Sequence, residues 1–168
     1  MLTASDFIGG WQLRRTIDDR YSRQSGQLLG GARFARKDDG KVTYHETGKV
    51  RFGDGPVMQT HRTYLWRFSD ALVDVFFEDG SAFHSFAPQG TTAGTDHFCG
   101  DDLYQVAYDF TAWPTWKTVW SVKGPRKDYT MISAYSVMSA VDADQKRSSR
   151  LAPLDPFVVR PLSDPIGA

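Results

Sequence analysis

Apolar and polar residues alternate with a period of two over short stretches of this chain, and Gly-, Pro- and Asp-containing turns separate them. Asp38-Asp39-Gly40, Gly53-Asp54-Gly55-Pro56, Ser69-Asp70, Asp79-Gly80 and Gly124-Pro125 read as hairpin loops. The runs between them, roughly residues 10–18, 27–37, 41–52, 57–68, 71–78, 81–87, 97–110, 116–123 and 129–138, make about nine strands. A short helical turn is predicted at Ala4 to Ile8, capped by Ser5 or Thr3. No long stretch keeps a 3.6-residue period and no internal repeat is visible, so the chain reads as all-β, an antiparallel barrel or sandwich.

Loop length sets register, and register decides which side chains share a face. A two-residue Asp79-Gly80 loop pairs Phe77 with Ala82 and Val75 with His84, turning His84 inward with Val73, Val75, Phe77 and Phe86. A two-residue Ser69-Asp70 loop pairs Trp66 with Val73, Tyr64 with Val75 and Arg62 with Phe77, adding Arg62 and Tyr64 to that face. Between Lys37 and Lys41 a two-residue loop would split the apolar residues between faces. A three-residue loop with Gly40 in the left-handed conformation instead pairs Phe34 with Tyr44 and Ala32 with Glu46. Glu46 then faces inward with Val42, Tyr44, Val50 and Phe52, and an interior contact to Arg62 or Tyr64 is predicted. Asp102, Tyr104, Val106, Tyr108 and Phe110 share a face of one later strand, Trp116, Thr118, Trp120 and Val122 of the next, and Tyr129, Met131, Ser133 and Tyr135 of the last. A face carrying Glu46, Arg62, Tyr64, His84, Asp102 and Tyr104 implies either a closed hydrogen-bond network or a water-filled site.

Composition narrows the partners. The 168 residues suit one domain, and 20 basic against 20 acidic side chains leave no net charge to draw the chain to nucleic acid or an anionic membrane. The 14% of aromatic residues favours strands with a bulky interior. Cys99 has no second cysteine to pair with. With no apolar run of membrane-spanning length and no export-type leader before Ser5, a cytoplasmic location is expected.

A resemblance runs through residues 7–137. Phe7-Ile8-Gly9-Gly10-Trp11 looks like the Gly-x-Trp opening of lipocalin-like chains. Trp11 with Arg14 and Ile17, Tyr44-His45-Glu46, Arg62-Thr63-Tyr64, Asp79-Gly80 with Phe83-His84, His97-Phe98-Cys99, Asp102-Leu103-Tyr104 and Gly124-Pro125-Arg126-Lys127-Asp128-Tyr129 extend it. Together they resemble an uncharacterised bacterial family of small lipocalin-like domains of unknown function. The resemblance implies a single calycin-type antiparallel barrel of eight to ten strands over residues 1–139, and no chemistry. Residues 138–168 lie outside the resemblance, and the tail is read as residues 140–168. Their Pro153, Pro156, Pro161 and Pro165 rule out a regular element, and Leu151, Phe157 and Val158 are too apolar for a solvated linker. They are expected to form an extended tail packed on the barrel, or on a second copy in a homodimer.

Several constellations carry candidate chemistry. His97, Cys99 and Asp101 alternate, with His84 as a fourth ligand, but Gly100 interrupts them and the spacing fits no standard zinc pattern, so no metal is expected. An inward histidine also suits a haem iron; no cofactor is predicted. Arg126-Lys127-Asp128 after Gly-Pro could gate a cavity mouth or bind an acidic group, but it reads more simply as a solvated hairpin tip. The leading expectation is binding of a small, partly polar or aromatic molecule inside the barrel. Tyr44, Glu46, Arg62, Tyr64, His84, His97, Asp102 and Tyr104 would supply polar contacts, and Trp120 and Tyr135 would stack. The alternative is an acid–base enzyme, an isomerase, dehydratase or hydrolase of a small metabolite, using His84 or His97 with a carboxylate. No nucleophile elbow, phosphate loop or dinucleotide fingerprint is present.

Overall fold

The computed structural model describes residues 1–138. The tail expected from residue 140 onward, with its packing on the barrel or a second copy, lies outside them. A four-residue helix, α1 (Ala4–Phe7), precedes β1 (Gly9–Asp19), β2 (Gln24–Arg36), β3 (Val42–Phe52), β4 (Met58–Phe68), β5 (Val73–Phe77) and β6 (Ala82–Phe86). Then come β7 (Thr91–Ala93), β8 (His97–Cys99), β9 (Asp102–Asp109), β10 (Trp116–Gly124) and β11 (Lys127–Val137). Every pairing is antiparallel, in the order β6-β5-β4-β3-β2-β1-β11-β10-β9-β7, with β8 also on β9.

β7 and β8 are one lane of the sheet, broken at Gly94–Asp96. Gly94 is required there, because a Cβ would stand 2.6 Å from Val106 Cγ1 and 3.1 Å from the His84 ring. The close approach brings the two ends of the sheet together. Thr95 N–H donates to the Ser85 carbonyl at 2.9 Å, and Ser85 N–H donates to Thr95 Oγ1 at 3.0 Å. These bonds use the polar edge that an open sheet would expose, and the result is a nearly closed ten-strand barrel.

The hairpin registers explain which residues enter it. Lys37 N–H donates to Lys41 C=O across a three-residue loop with Gly40 at φ +81°, which pairs Phe34 with Tyr44 and Ala32 with Glu46 as expected. The Ser69 hairpin keeps a two-residue loop but one position later than expected, Asp70-Ala71 in place of Ser69-Asp70: Ser69 N–H bonds Leu72 C=O, so Trp66 pairs with Val75 and Tyr64 with Phe77. The slip is two residues, an even number, so Arg62 and Tyr64 stay on the inner face while Arg62 loses its expected partner Phe77. At the next hairpin Phe77 N–H bonds Ser81 C=O, making a three-residue loop, and Ala82 pairs with Phe76 instead of Phe77. A bulge then restores Val75 opposite His84 and turns both Phe83 and His84 inward. The expected strand 97–110 is a hairpin, β8 and β9, with Gly100 at φ +60° in its turn.

One end of the barrel is plugged. Asp6 accepts hydrogen bonds from the Thr3 N–H and hydroxyl, fixing the start of α1, and the Trp11 indole donates to the Phe7 carbonyl at 2.8 Å. Phe7 is thereby held fully buried against Phe34, Trp66, Phe68, Phe110, Trp113 and Trp116. Among the described residues no helix is long and apolar enough to cross a membrane.

Candidate functional site

Below the plug the interior turns polar. Period two from Trp11 and Leu13 carries Arg15, not Arg14, into the barrel; Arg14 is exposed. Arg15 Nη1 and Nη2 each donate to a Glu46 carboxylate oxygen at 2.8 Å, and its Nε donates to Ser133 Oγ at 2.7 Å. Tyr44 donates its hydroxyl to Glu46, and Tyr44 and Tyr135 hydroxyls lie 3.0 Å apart. The expected partner of Glu46, Arg62 or Tyr64, is therefore corrected to Arg15. Arg62 sits opposite Glu46 in register, but the two-pronged guanidinium of Arg15 matches both carboxylate oxygens from across the sheet.

The pair is 6% and 3% exposed, and burial opposes both charges. Burial alone would lower the Arg15 pKa, yet its bonds and charge partner Glu46 raise it overall. Burial likewise pushes Glu46 up, but Arg15 and Tyr44 hold it below the usual carboxylate range. The pair is ionised and self-neutralised. Burial raises the Tyr44 and Tyr135 hydroxyls, with the neighbouring phenol and Glu46 adding for Tyr44, and Glu46 adding for Tyr135. Both stay protonated, so Tyr44 serves as a donor.

The far end of the barrel is different, because inward-facing side chains there reach solvent. Ile17, Phe52, Tyr64, Phe77, Tyr104, Trp120 and Tyr129 are half-buried, and Arg62 is exposed. Tyr64, Phe83 and Trp120 form a ladder of near-parallel rings, 5.4 Å and 5.2 Å apart. The Arg62 guanidinium lies 6.0 Å from the Tyr64 ring centre. His97 packs edge-on against Phe77, Phe83 and Tyr104. Lys127 reaches in from the β10–β11 hairpin to Asp102 Oδ2 at 2.6 Å and the Tyr104 hydroxyl at 2.9 Å. The hairpin tip read as solvated thus contributes a cation to the rim.

The ten residues singled out in the sequence separate into three places. Arg62, Tyr64, His97, Asp102, Tyr104 and Trp120 line the open end. Tyr44, Glu46 and Tyr135 belong to the buried network around Arg15, where Tyr135 stacks on Trp116 at 3.8 Å. His84 stands between the two ends, its Nε2 2.8 Å from the Tyr108 hydroxyl and its ring edge-on to Trp120. Its partner is a phenol, not the carboxylate expected for an acid–base pair. Burial, with a contribution from His97, pushes the His84 pKa down to about 3, so the ring is neutral at physiological pH. The Nδ1 of His84, the indole nitrogens of Trp66 and Trp116, and Thr118 Oγ1 are buried without a protein partner, a need that water or a polar guest meets. Asp101 lies in the β8–β9 turn and Cys99 is exposed; among the described residues no three His, Cys, Asp or Glu side chains are grouped to hold a metal.

From sequence alone Arg15 and Phe83 have no place in the interior, Ser133 is on the inner face without a role, and Lys127 is part of a solvated hairpin tip. Strict alternation from Trp11 marks Arg15, and alternation from Tyr129 and Met131 marks Ser133. Phe83 enters through a bulge, which no local pattern announces.

Residues 7–137 match the family of unknown function DUF6314. The chain belongs to this family. No curated protein matches it by sequence. Among solved structures, this DUF6314 member is similar to the S-type phycobiliprotein lyase CPES from Guillardia theta, at 9% identity and TM-score 0.61, covering 82% of this chain and 91% of that one. It is also similar to a protein of unknown function from the DUF3598 family of Nostoc punctiforme, at 12% identity and TM-score 0.54, covering 80% of this chain and 48% of that one. At these identities the likeness concerns the fold, a lipocalin-like barrel.

Proposed function

We propose that the chain binds a small, partly aromatic molecule at the open end of the barrel, without transforming it. The observation that carries this reading is the half-buried state of side chains that face the barrel axis. Tyr64, Tyr104 and Trp120 are built into the inner wall yet accessible to solvent, as the lining of a concave apolar site with a few polar groups would be. The unpartnered polar atoms deeper in support an interior that accepts polar guests or water. A phycobiliprotein lyase shares the fold, which supports a barrel of this kind handling small molecules, although no residue carries over at 9% identity. A binding role also needs no histidine–carboxylate pair.

Titration with the uncharged fluorophore N-phenyl-1-naphthylamine tests the reading. The wild type is expected to enhance its emission saturably. Trp120→Ala, which removes one wall, and Ile17→Trp, which fills the opening, should each weaken binding about tenfold while leaving a cooperative unfolding transition. Wild-type protein that gives no saturable enhancement, or folded variants that bind as well as it does, would remove the open end as a binding site.

A further inference from the structure

We infer that the molecule held at the open end is an anion, an aromatic or conjugated body carrying a carboxylate or a similar acidic group that pairs with Arg62. This inference rests on the binding reading above and adds the chemical class of the ligand. It comes from a charge balance over the inward-facing ionised side chains of the network and the rim. Arg15 is neutralised by Glu46 through two bonds of 2.8 Å, and the same carboxylate also takes the Tyr44 hydroxyl. Lys127 is neutralised by Asp102 at 2.6 Å. Arg62 remains.

Arg62 is inward by register, opposite Glu46 on β3 and one alternation from Tyr64 on β4. Among the described residues no carboxylate lies within ion-pair distance of it. Its neighbours are two phenols and one carboxylate it does not bond: Tyr64, whose ring centre is 6.0 Å away, Tyr129, whose hydroxyl it influences electrostatically, and Glu46, whose pKa its charge helps to lower. Neither phenol is charged at neutral pH, since burial raises both pKa values further. Glu46, the nearest acid in register, feels the charge of Arg62 but gives both its oxygens to Arg15, and its one negative charge leaves one of the two guanidinium charges unbalanced. A guanidinium presents a flat fork of donors that fits a carboxylate in two places at once, and such a pair is stronger beside a low-dielectric wall than in water.

The wall is next to it. From Arg62 the ladder continues through Tyr64 and Phe83 to Trp120, with interplanar angles of 25° and 9°. A ligand with its acidic group at Arg62 would lay its apolar body along those rings. The order of chemistry along the wall, cation first and aromatics after, suits a flat molecule with an acid at one end better than a neutral or cationic one.

Two fluorophores with nearly the same ring system separate the charge from the pocket. 8-Anilinonaphthalene-1-sulfonate carries an anion, and N-phenyl-1-naphthylamine does not. In the wild type both should bind, and Arg62→Gln should weaken the sulfonate about tenfold while changing the neutral probe by no more than about twofold. Arg62→Lys, which keeps the charge and loses the fork, should recover part of the sulfonate affinity. Equal affinity of the sulfonate for wild type and a folded Arg62→Gln would overturn the anion while leaving the pocket in place. A wild type that binds neither probe would overturn the pocket and the anion together.

Discussion

The two ends of this barrel use the same aromatic residue types for opposite purposes. At the closed end Phe7 from α1 sits among Phe34, Trp66, Phe110 and Trp116, with ring centres 5.5 to 5.9 Å away, and nothing of it reaches water. At the open end Tyr64, Phe77 and Trp120 point to the same axis and stay half in solvent. What separates the two is a single four-residue helix, which supplies the side chain that covers one opening and has no counterpart among the described residues at the other. Aromatic density alone therefore does not mark a site; aromatic residues left uncovered on a concave wall do.

Removing the plug is the severest way to break the contrast. Phe7→Ala should cost about 4 kcal/mol, the usual range for deleting a fully buried phenylalanine ring, read as a lower urea midpoint at unchanged slope. The Arg15–Glu46 network lies between the ends, so the folded variant should still bind N-phenyl-1-naphthylamine within about twofold of wild type. Loss of that binding in folded Phe7→Ala protein would mean that the ends are one unit.

The same contrast shows what local pattern can and cannot reveal. Face assignment survived errors of register: the turn after Phe68 sits one position later than its sequence suggests and slips the pairing by two residues, yet Arg62 and Tyr64 point inward because an even slip preserves alternation. The Lys37–Lys41 turn was legible to the residue, since only a three-residue loop with Gly40 at positive φ keeps the apolar positions together. Partners across the barrel were not legible. Glu46 was matched with its neighbours on β4, whereas its true partner arrives from β1, two strands away on the other side. Likewise Phe83 is inward only because of a bulge, and His84 found Tyr108 only because the barrel closes at Gly94. Such contacts are properties of closure, and closure is not written in any one strand.

His84 stands at the boundary and sharpens the comparison through pH. Its folded pKa is about 3, and an unfolded histidine titrates near 6.5. Between those values the unfolded chain binds the extra proton, so this contribution to stability is complete above pH 6.5 and declines as pH falls toward 3. From pH 7.5 to pH 5 the loss should be about 2 kcal/mol. His84→Gln keeps a polar side chain beside Tyr108 and removes the titration, so its unfolding free energy should fall by that much less over the same interval. Parallel pH profiles for the two proteins would show that the ring is protonated in the folded state and that this part of the interior is wetter than its packing implies.

The smallest effect on stability is expected at the rim, where Lys127 meets Asp102. The two side chains are 40% and 19% exposed, so solvent screens the pair, and Lys127→Ala should change the unfolding free energy by less than about 1 kcal/mol. Its effect on binding runs through charge instead. Without Lys127 the Asp102 carboxylate is left unmatched beside Tyr104, and the single positive charge of Arg62 then faces a negative one across the opening. The affinity for 8-anilinonaphthalene-1-sulfonate should fall a few-fold at low salt and approach that of wild type when added salt shortens the screening length to about 3 Å near 1 M. N-phenyl-1-naphthylamine should bind alike at both salt concentrations. A large loss of stability in Lys127→Ala would make this pair a structural strut of the same kind as Arg15–Glu46, and the open end would then be held together by its charges in place of using them on a guest.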